Sequence, residues 1–446
     1  MLNNIAIKTL ASTVIGLAGF CSVNATALAS GFAIAELSTA GVGTANALVA
    51  NPDDVGAFAY NPAAMGFHDA SSLALGTLFI GPSFSVKTST GNQESHGADW
   101  VAAPMVSGAL VIHDRWRAGV AVNAPFGLET RWGVNSFPAL AGSSDVEVQT
   151  TAPPPYPPVP ITVTVELPNG AEPTASKAEI LDLTPTLAFR VTDDLSVSAG
   201  MDYYYAKKAR LDSTLTTLSG DGQGYGYNLS ALYAADRWSV GVAYHSAATV
   251  EIEGSYRPST DYPALRGVLP VAQNASLDLN LPWRLQVGAR FKITPDLAVE
   301  FDWTRTGWSE FEDITVKGVG GQVILTDKNN WRDVNAYRLG FTWQVLEQTQ
   351  LRLGYSYDET PQEDDYFSPR IPDNDRHLLG IGVGQDLGRG WQVDFGYMYA
   401  WFDGKRDVTG SRPYGGLGDD INGTTAVAGE YDANAHLIGL ELTKVF

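Results

Sequence analysis

Apolar and polar residues alternate along most of this chain. In one stretch Leu285, Val287, Ala289, Phe291 and Ile293 share a face, and Gln286, Gly288, Arg290 and Lys292 share the other. Period two is the signature of a strand. About fourteen such segments run from residue 71 to residue 446, and the apolar face recurs in nearly all of them. Many of these faces end in aromatics, as in Trp391, Val393, Phe395, Tyr397, Tyr399 and Trp401. Apolar stripes ending in aromatics fit strands that cross a bilayer, with aromatic girdles at headgroup level.

The joints predict the topology. Short turns are expected at His113-Asp114-Arg115, Thr192-Asp193-Asp194, Ala235-Asp236-Arg237, Thr294-Pro295-Asp296, 346–350 and 387–390. The connections between them are long. Six hairpins plus one strand at each end predict an all-β, 14-stranded antiparallel transmembrane barrel over residues 71–446. Closure leaves no unpaired edge in lipid. Short turns belong on the periplasmic side and long loops outside, so both ends of the chain are expected in the periplasm. Phe446, on one face with Ile438, Leu440 and Leu442, resembles the terminal signal read by the barrel-assembly machinery.

The one long apolar run is N-terminal. Lys8, an apolar stretch to about Val23 and Ala27-Leu28-Ala29 read as a secretory signal peptide over residues 1–29. The single cysteine, Cys21, falls within it, so the mature chain is expected to have none. Residues 30–70 are rich in glycine and alanine and do not alternate. They read as a hatch folded back into the barrel.

Net charge is −20, with no basic patch to suggest nucleic acid. Acidic residues cluster in the expected outer loops: Glu359, Glu363, Asp364, Asp365, Asp373, Asp375, Asp419 and Asp420. They read as a solvated surface bridged by divalent ions to lipopolysaccharide. The proline run around residues 152–160 reads as stiff polyproline II in the loop after strand three. No metal-ligand spacing, phosphate loop or Ser/His/Asp set stands out, so no catalytic residue, metal or cofactor is expected. A non-enzymatic monomer is.

Three blocks near the N-terminus carry a family resemblance: Gly31-Phe32-Ala33-Ile34-Ala35-Glu36, Ala40-Gly41-Val42-Gly43-Thr44-Ala45 and Asn61-Pro62-Ala63-Ala64-Met65. Downstream, Asn123-Ala124-Pro125-Phe126-Gly127-Leu128-Glu129-Thr130, Gly354-Tyr355-Ser356-Tyr357-Asp358 and Pro372-Asp373-Asn374-Asp375-Arg376-His377 continue it in order. Together they resemble the FadL/TodX family of outer-membrane transporters for hydrophobic compounds. The resemblance implies capture of long-chain fatty acids at the outer loops and passage to a lumenal pocket above the hatch. Release is then sideways into the membrane through an inward kink in the third strand. Aromatic hydrocarbons or other xenobiotics are the alternative cargo. A surface adhesin or receptor barrel without transport is a reading of another class.

The residues themselves point to the same places. Pro125 interrupts the clean alternation of Trp116, Ala118, Val120, Val122 and Ala124, with Asn123 before it and Phe126 and Gly127 after it. Proline cannot donate to the ladder and marks an edge or a bulge. Pro104 and Pro185 are rival bulges, and Pro125 could instead mark the strand's outer end. Phe32 and Ile34 are expected either to line a pocket or to pack the hatch. Asn61 and Pro62 are expected to stabilise it. A carboxylate head group would want an inward cation. Alternation points Arg284, Arg290 and Arg376 inward, where the competing role is a lumenal salt-bridge network.

Overall fold

The computed structural model describes residues 31–96, 100–151, 155, 159–409 and 426–446. The expected signal peptide, with Cys21, lies outside them. So do Asp419, Asp420 and most of the proline run.

Among the described residues the chain forms one closed antiparallel barrel of fourteen strands. Strands one to six are Ser72–Thr88, Val101–His113, Trp116–Arg131, Pro173–Arg190, Leu195–Ser213 and Thr216–Ala234. Strand seven runs as Trp238–His245 and resumes as Ala248–Pro258. Strand eight is Gln273–Leu281 and then Arg284–Lys292. Strand nine is Leu297–Thr306, extended by Asp313–Gly318. Strand ten is Val323–Lys328 and then Val334–Leu346. Strands eleven to fourteen are Thr349–Asp358, Arg376–Gly388, Trp391–Phe402 and Gly429–Val445. Strand one closes on strand fourteen from Ser72↔Val445 to Lys87↔Glu430. The six short turns fall where alternation changes direction.

The outward faces fix the bilayer. Near the short turns Trp116 stacks by Phe189 at 4.7 Å between ring centres, and Tyr233 by Trp238 at 5.2 Å. Further out, Tyr203 and Tyr225 approach to 5.3 Å and Tyr227 and Tyr244 to 6.1 Å. Leu187, Val197, Leu229, Val240 and Val287 lie exposed between these belts.

Beyond the outer belt the pattern inverts, which alternation read strand by strand did not anticipate. In strand seven Val240 and Val242 face out, but after the interruption at Ser246 it is Val250 and Ile252 that are buried and Glu251 and Glu253 that are exposed. Strand eight does the same across Pro282-Trp283: Val287 and Phe291 face out, whereas Leu279 and Leu281 are buried and Asn274 and Asp278 are exposed. Strand seven takes five steps from His245 to Val250 where strand six takes four from Asn228 to Gly224, and this one extra residue shifts the period-two phase. The upper wall of strands five to nine is therefore polar outside, where it meets water, and apolar inside.

Residues 31–67 pack against the inner faces of strands three to six on one side and eleven to fourteen on the other. They form a short helix, Thr39–Gly43, and two 3-10 turns, Val55–Ala59 and Pro62–Phe67. Each is started by a side chain that accepts a backbone N–H. Ser38 accepts from Gly41 (3.1 Å), Asp54 from Gly56 (2.8 Å) and Asn61 from Ala63 (3.1 Å), and Pro62 stands first in its turn. The segment lies so close to the wall that a Cβ on Gly354 would strike the Thr44 backbone, and one on Gly380 the Val42 carbonyl.

The loop after strand three differs from a plain coil. Ser143–Thr151 pairs with Pro160–Pro168 as a separate two-stranded ribbon, with part of the proline run at its tip.

Candidate functional site

Strand three is broken beside Pro125. Asn123 pairs with Asp182 and Phe126 with Ile180, so two residues on strand three oppose one on strand four. The other edge is barer. Pairing with strand two ends at Val106↔Val122, although strand two continues to Val101 against strand one. The next link on that edge is His96, whose N–H donates to the Arg131 carbonyl at 2.8 Å. Between these points the described residues of the wall form no ladder. The N-terminal segment takes up the exposed edge instead: Ile34 N–H donates to Pro125 O (2.7 Å) and Gly127 N–H to Phe32 O (2.9 Å). Asn123 closes the lower side. Its side-chain nitrogen, assigned from the carbonyls it faces, donates to Val122 O (3.1 Å) and Leu37 O (3.3 Å).

An apolar chamber opens above the break, inside the inverted wall. Leu128, Leu211, Leu218, Ile252, Leu279 and Val316 line it, with Phe32 at its floor and Ile371 from the loop after strand eleven. The space between these side chains is about 710 Å³, part of it open to solvent. Phe32 is wholly buried in an aromatic cage, with ring centres 4.9 Å from Trp308, 5.3 Å from Phe311, 5.8 Å from Phe126 and 6.0 Å from Trp331. It both lines the chamber and holds the segment that borders the break. Ile34 does not reach the chamber. It packs in the cluster of Leu78, Met105, Leu378 and Met398.

The loop 359–375 folds inward as the chamber's roof. Arg370 O accepts from Thr130 Oγ1 (2.9 Å), and Pro369 O from the Trp132 indole (2.7 Å). Asp373, expected on the solvated surface, is instead buried. It accepts from Gly31 N (3.0 Å) and Thr360 Oγ1 (2.7 Å) and lies 3.7 Å from Arg376. Burial raises its pKa, against the pull of Arg376.

Charged groups at the chamber are already paired. Lys177 Nζ lies 2.9 Å from Glu129 and 2.8 Å from Glu179, and Arg210 pairs with Asp212. Sequence reasoning missed Lys177 and Arg210, because register bulges in strands four and five shift which residues face inward. Of the three arginines expected to seek an anion, two are occupied. Arg290 pairs with Glu300 at 3.3 Å, and Arg376 with Asp358 at 3.4 Å. The Arg284 side chain makes no hydrogen bond or ion pair among the described residues. It lines a separate, more polar cavity below the break.

Carboxylates on the barrel wall hold the N-terminal segment. Asp302 Oδ2 accepts from Leu48 N (2.9 Å) and Val49 N (3.0 Å), and Glu300 from Ala50 N (2.7 Å). Arg352 spans Asp54 (3.0 Å) and Asp394 (2.5 Å). Asn61 donates to Val49 O (2.7 Å) and Ala231 O (3.2 Å), a bracing role. Within the segment Asn46 donates to Glu36 (2.8 Å), whose carboxyl burial raises above its ordinary pKa. Pro62 borders the lower cavity.

A girdled β-barrel with an internal apolar chamber and an interrupted wall defines an outer-membrane protein with a lumenal pocket. The comparisons define it further. The family model described as outer membrane protein transport protein (OMPP1/FadL/TodX) matches residues 20–154 and 162–446, and the chain belongs to that family. It is 26% identical over 406 residues to a long-chain fatty acid transport protein of Escherichia coli O6:H1, covering 84% of this chain and 88% of that one. The crystal structure of a Pseudomonas aeruginosa FadL homologue superposes with a TM-score of 0.75 at 19% identity, over 93% of this chain and 99% of that one. The Ralstonia pickettii toluene transporter TbuX gives 0.64 at 17% identity, over 94% and 99%. At these identities the two structures speak for the fold alone. The family is one of outer-membrane transporters, and the chain resides in the outer membrane.

Proposed function

We propose that this protein moves hydrophobic molecules, long-chain fatty acids first, from the outside medium into the outer membrane. The observation that carries the reading is the meeting of two features at Phe32: an apolar chamber above it and an unpaired stretch of wall beside it. Substrate enters past the roof loop 359–375 and gains about 0.8 kcal/mol for each methylene it buries. It then displaces the strand-like contact of Phe32 and Ile34 with Pro125 and Gly127. Release follows sideways, between strands two and three. The outer belt residues Tyr203 and Tyr205 pair with Leu183 and Leu181 opposite the break, so the exit stands near the outer-leaflet interface. Residues 31–67 act as the hatch that denies the same route to water and polar solutes.

Fatty acid is favoured by the length of aliphatic wall from Leu218 to Val316 and by the curated relative's name. Aromatic hydrocarbons are the second reading, favoured by the cage of Trp308, Phe311, Trp331 and Phe126 that already holds one phenyl ring. Growth of a transport-deficient Gram-negative host on oleate as sole carbon source tests the first. Restored growth supports it; no restoration by correctly assembled protein, with toluene entry accelerated, supports the second. Neither effect would return the barrel to a receptor role.

A further inference from the structure

Below the break lies a second cavity of different character. Asp182, Thr186, His245 and Arg284 line it beside Pro125, Asn123 and the segment residues Leu37, Phe58 and Met65. Each of the four polar residues has an atom buried without a partner: Asp182 Oδ1, Thr186 Oγ1, His245 Nε2 and Arg284 Nε. Buried polar atoms are ordinarily paired with protein or water, so four of them around one cavity mark a place where water or a polar ligand completes the hydrogen bonding. The remaining bonds are fixed. His245 Nδ1 meets Asp202 Oδ2 at 3.0 Å, and Asp202 Oδ1 accepts from Asn228 at 2.7 Å. Asp182 Oδ2 accepts from Thr184 at 3.0 Å.

The charges around this cavity do not favour an anion. Asp182 on strand four, His245 on strand seven and Arg284 on strand eight line it, and Asp202 on strand five stands behind His245 within electrostatic reach of Arg284. Tyr204 on strand five, Arg338 on strand ten and Tyr60 of the N-terminal segment are the other titratable neighbours. Arg338 is itself drawn to Asp358, at 3.9 Å. One open cation thus faces two carboxylates. With Nδ1–H donating to Asp202, neutral His245 presents a lone pair at Nε2. The site asks for a head group that accepts from Arg284 and donates to His245 Nε2 or Asp182 Oδ1. A carboxylic acid does both; a carboxylate cannot donate.

We propose that this cavity takes the head group of a fatty acid in its protonated, uncharged form, with His245 as the proton carrier. Protonated His245 gives the Nε2 proton to a carboxylate oxygen: an N–H bond breaks, an O–H bond forms, and the neutral imidazole then accepts from the new acid until it leaves, after which a hydronium proton from the solvent restores the imidazolium. Asp202 is a positioning residue that fixes the ring. The neutral acid then leaves beside Pro125 without carrying charge into hydrocarbon, a transfer that is costly for an ion. This inference rests on the fatty-acid reading above.

The test uses the full chain in lipid nanodiscs with oleate labelled at the carboxyl carbon, read by isotope-edited infrared or NMR near neutral pH. Wild-type protein is expected to hold the label as the acid. His245→Gln and, independently, Asp202→Asn should return it to carboxylate. Transfer of oleate to acceptor vesicles should then slow at least about tenfold, the effect of a one-unit change in the head group's protonation equilibrium. Methyl oleate, which has no proton to gain, should move at the wild-type rate in both variants. Assembly is checked by heat-modifiable gel mobility. A wild-type label that stays carboxylate overturns the proposal, as does an unchanged acid signal in both variants. Wild-type protein that binds no labelled oleate at all overturns the fatty-acid reading, and this inference with it.

Discussion

Asp302→Leu isolates the grip on the N-terminal segment. The side chain is fully buried, of similar size to its replacement, and its Oδ2 is the acceptor for both Leu48 N and Val49 N. The substitution leaves two backbone donors with no acceptor beneath a tightly packed segment. An orphaned buried donor costs about 1–3 kcal/mol, so the pair costs about 3 kcal/mol once partial rescue by water is allowed. The Ala50–Glu300 bond and the Asp54–Arg352–Asp394 bridge remain, so the segment should stay seated in most molecules. Because about 1.4 kcal/mol is a factor of ten, its openings should become roughly a hundredfold more frequent. Two readouts follow. Amide exchange at residues 48–50 should accelerate by about that factor, and planar-bilayer recordings should show more frequent openings at unchanged barrel mobility on gels. Exchange and opening frequency equal to the parent's would refute the idea that wall carboxylates hold this segment closed.

Other outcomes follow from single contacts. Phe32→Ala empties the aromatic cage and removes about 3–5 kcal/mol of packing; if the segment competes with substrate for its seat, oleate should bind more tightly by calorimetry, and weaker binding would mean that Phe32 is chiefly a wall of the pocket. Arg376→Met takes the cation from between buried Asp358 and Asp373, leaving Asp358 only its longer contact to Arg338, and should destabilise the barrel by about 3 kcal/mol in urea-dependent unfolding. Arg284→Met breaks no such pair and should cost at most about 1 kcal/mol in the same assay; equal losses would contradict the division between occupied and open arginines. Gly354→Val should push Thr44 off the wall and raise conductance while the barrel still assembles.

Strand count, turn positions and the outward aromatic belts were legible because a bilayer imposes period two over long stretches. Pro125 was legible for a related reason: proline is conspicuous in a strand. What alternation could not carry was any change of phase. Ser246-Ala247 look like ordinary strand residues, and Pro282 marks a break without showing a change of phase, yet these interruptions turn the upper wall's apolar face inward and so create the chamber. Lys177 and Arg210 were hidden by bulges of the same kind. The inward orientation of Arg290 and Arg376 followed from parity, and so did the lumenal salt-bridge role that Arg290 takes up, but the partners of Arg376 did not, since Asp358 and Asp373 come from another strand and a loop. Asp373 is the clearest case: among loop acids it reads as solvated, and only its long-range bond to Gly31 explains its burial. The segment's seat had a sequence signal that went unused. Inward glycines such as Gly354 and Gly380 leave room for a backbone to pass where a side chain would block it.

Lateral release is the central claim, and deletion of Pro125 tests it most directly. Asn123 and Phe126 are separated by two residues, and their partners Asp182 and Ile180 by one. Removing Pro125 makes the count equal, leaves Asn123 and Phe126 facing inward, and lets strand three continue its ladder. It also removes the carbonyl that receives Ile34 N–H. The measurement is the rate at which reconstituted, heat-modifiable protein delivers labelled oleate into the surrounding bilayer, with binding to the chamber followed in parallel. The account predicts normal binding and a delivery rate close to that of empty membranes. Delivery at the wild-type rate through a straightened strand three would contradict it and place the exit at the periplasmic end of the barrel.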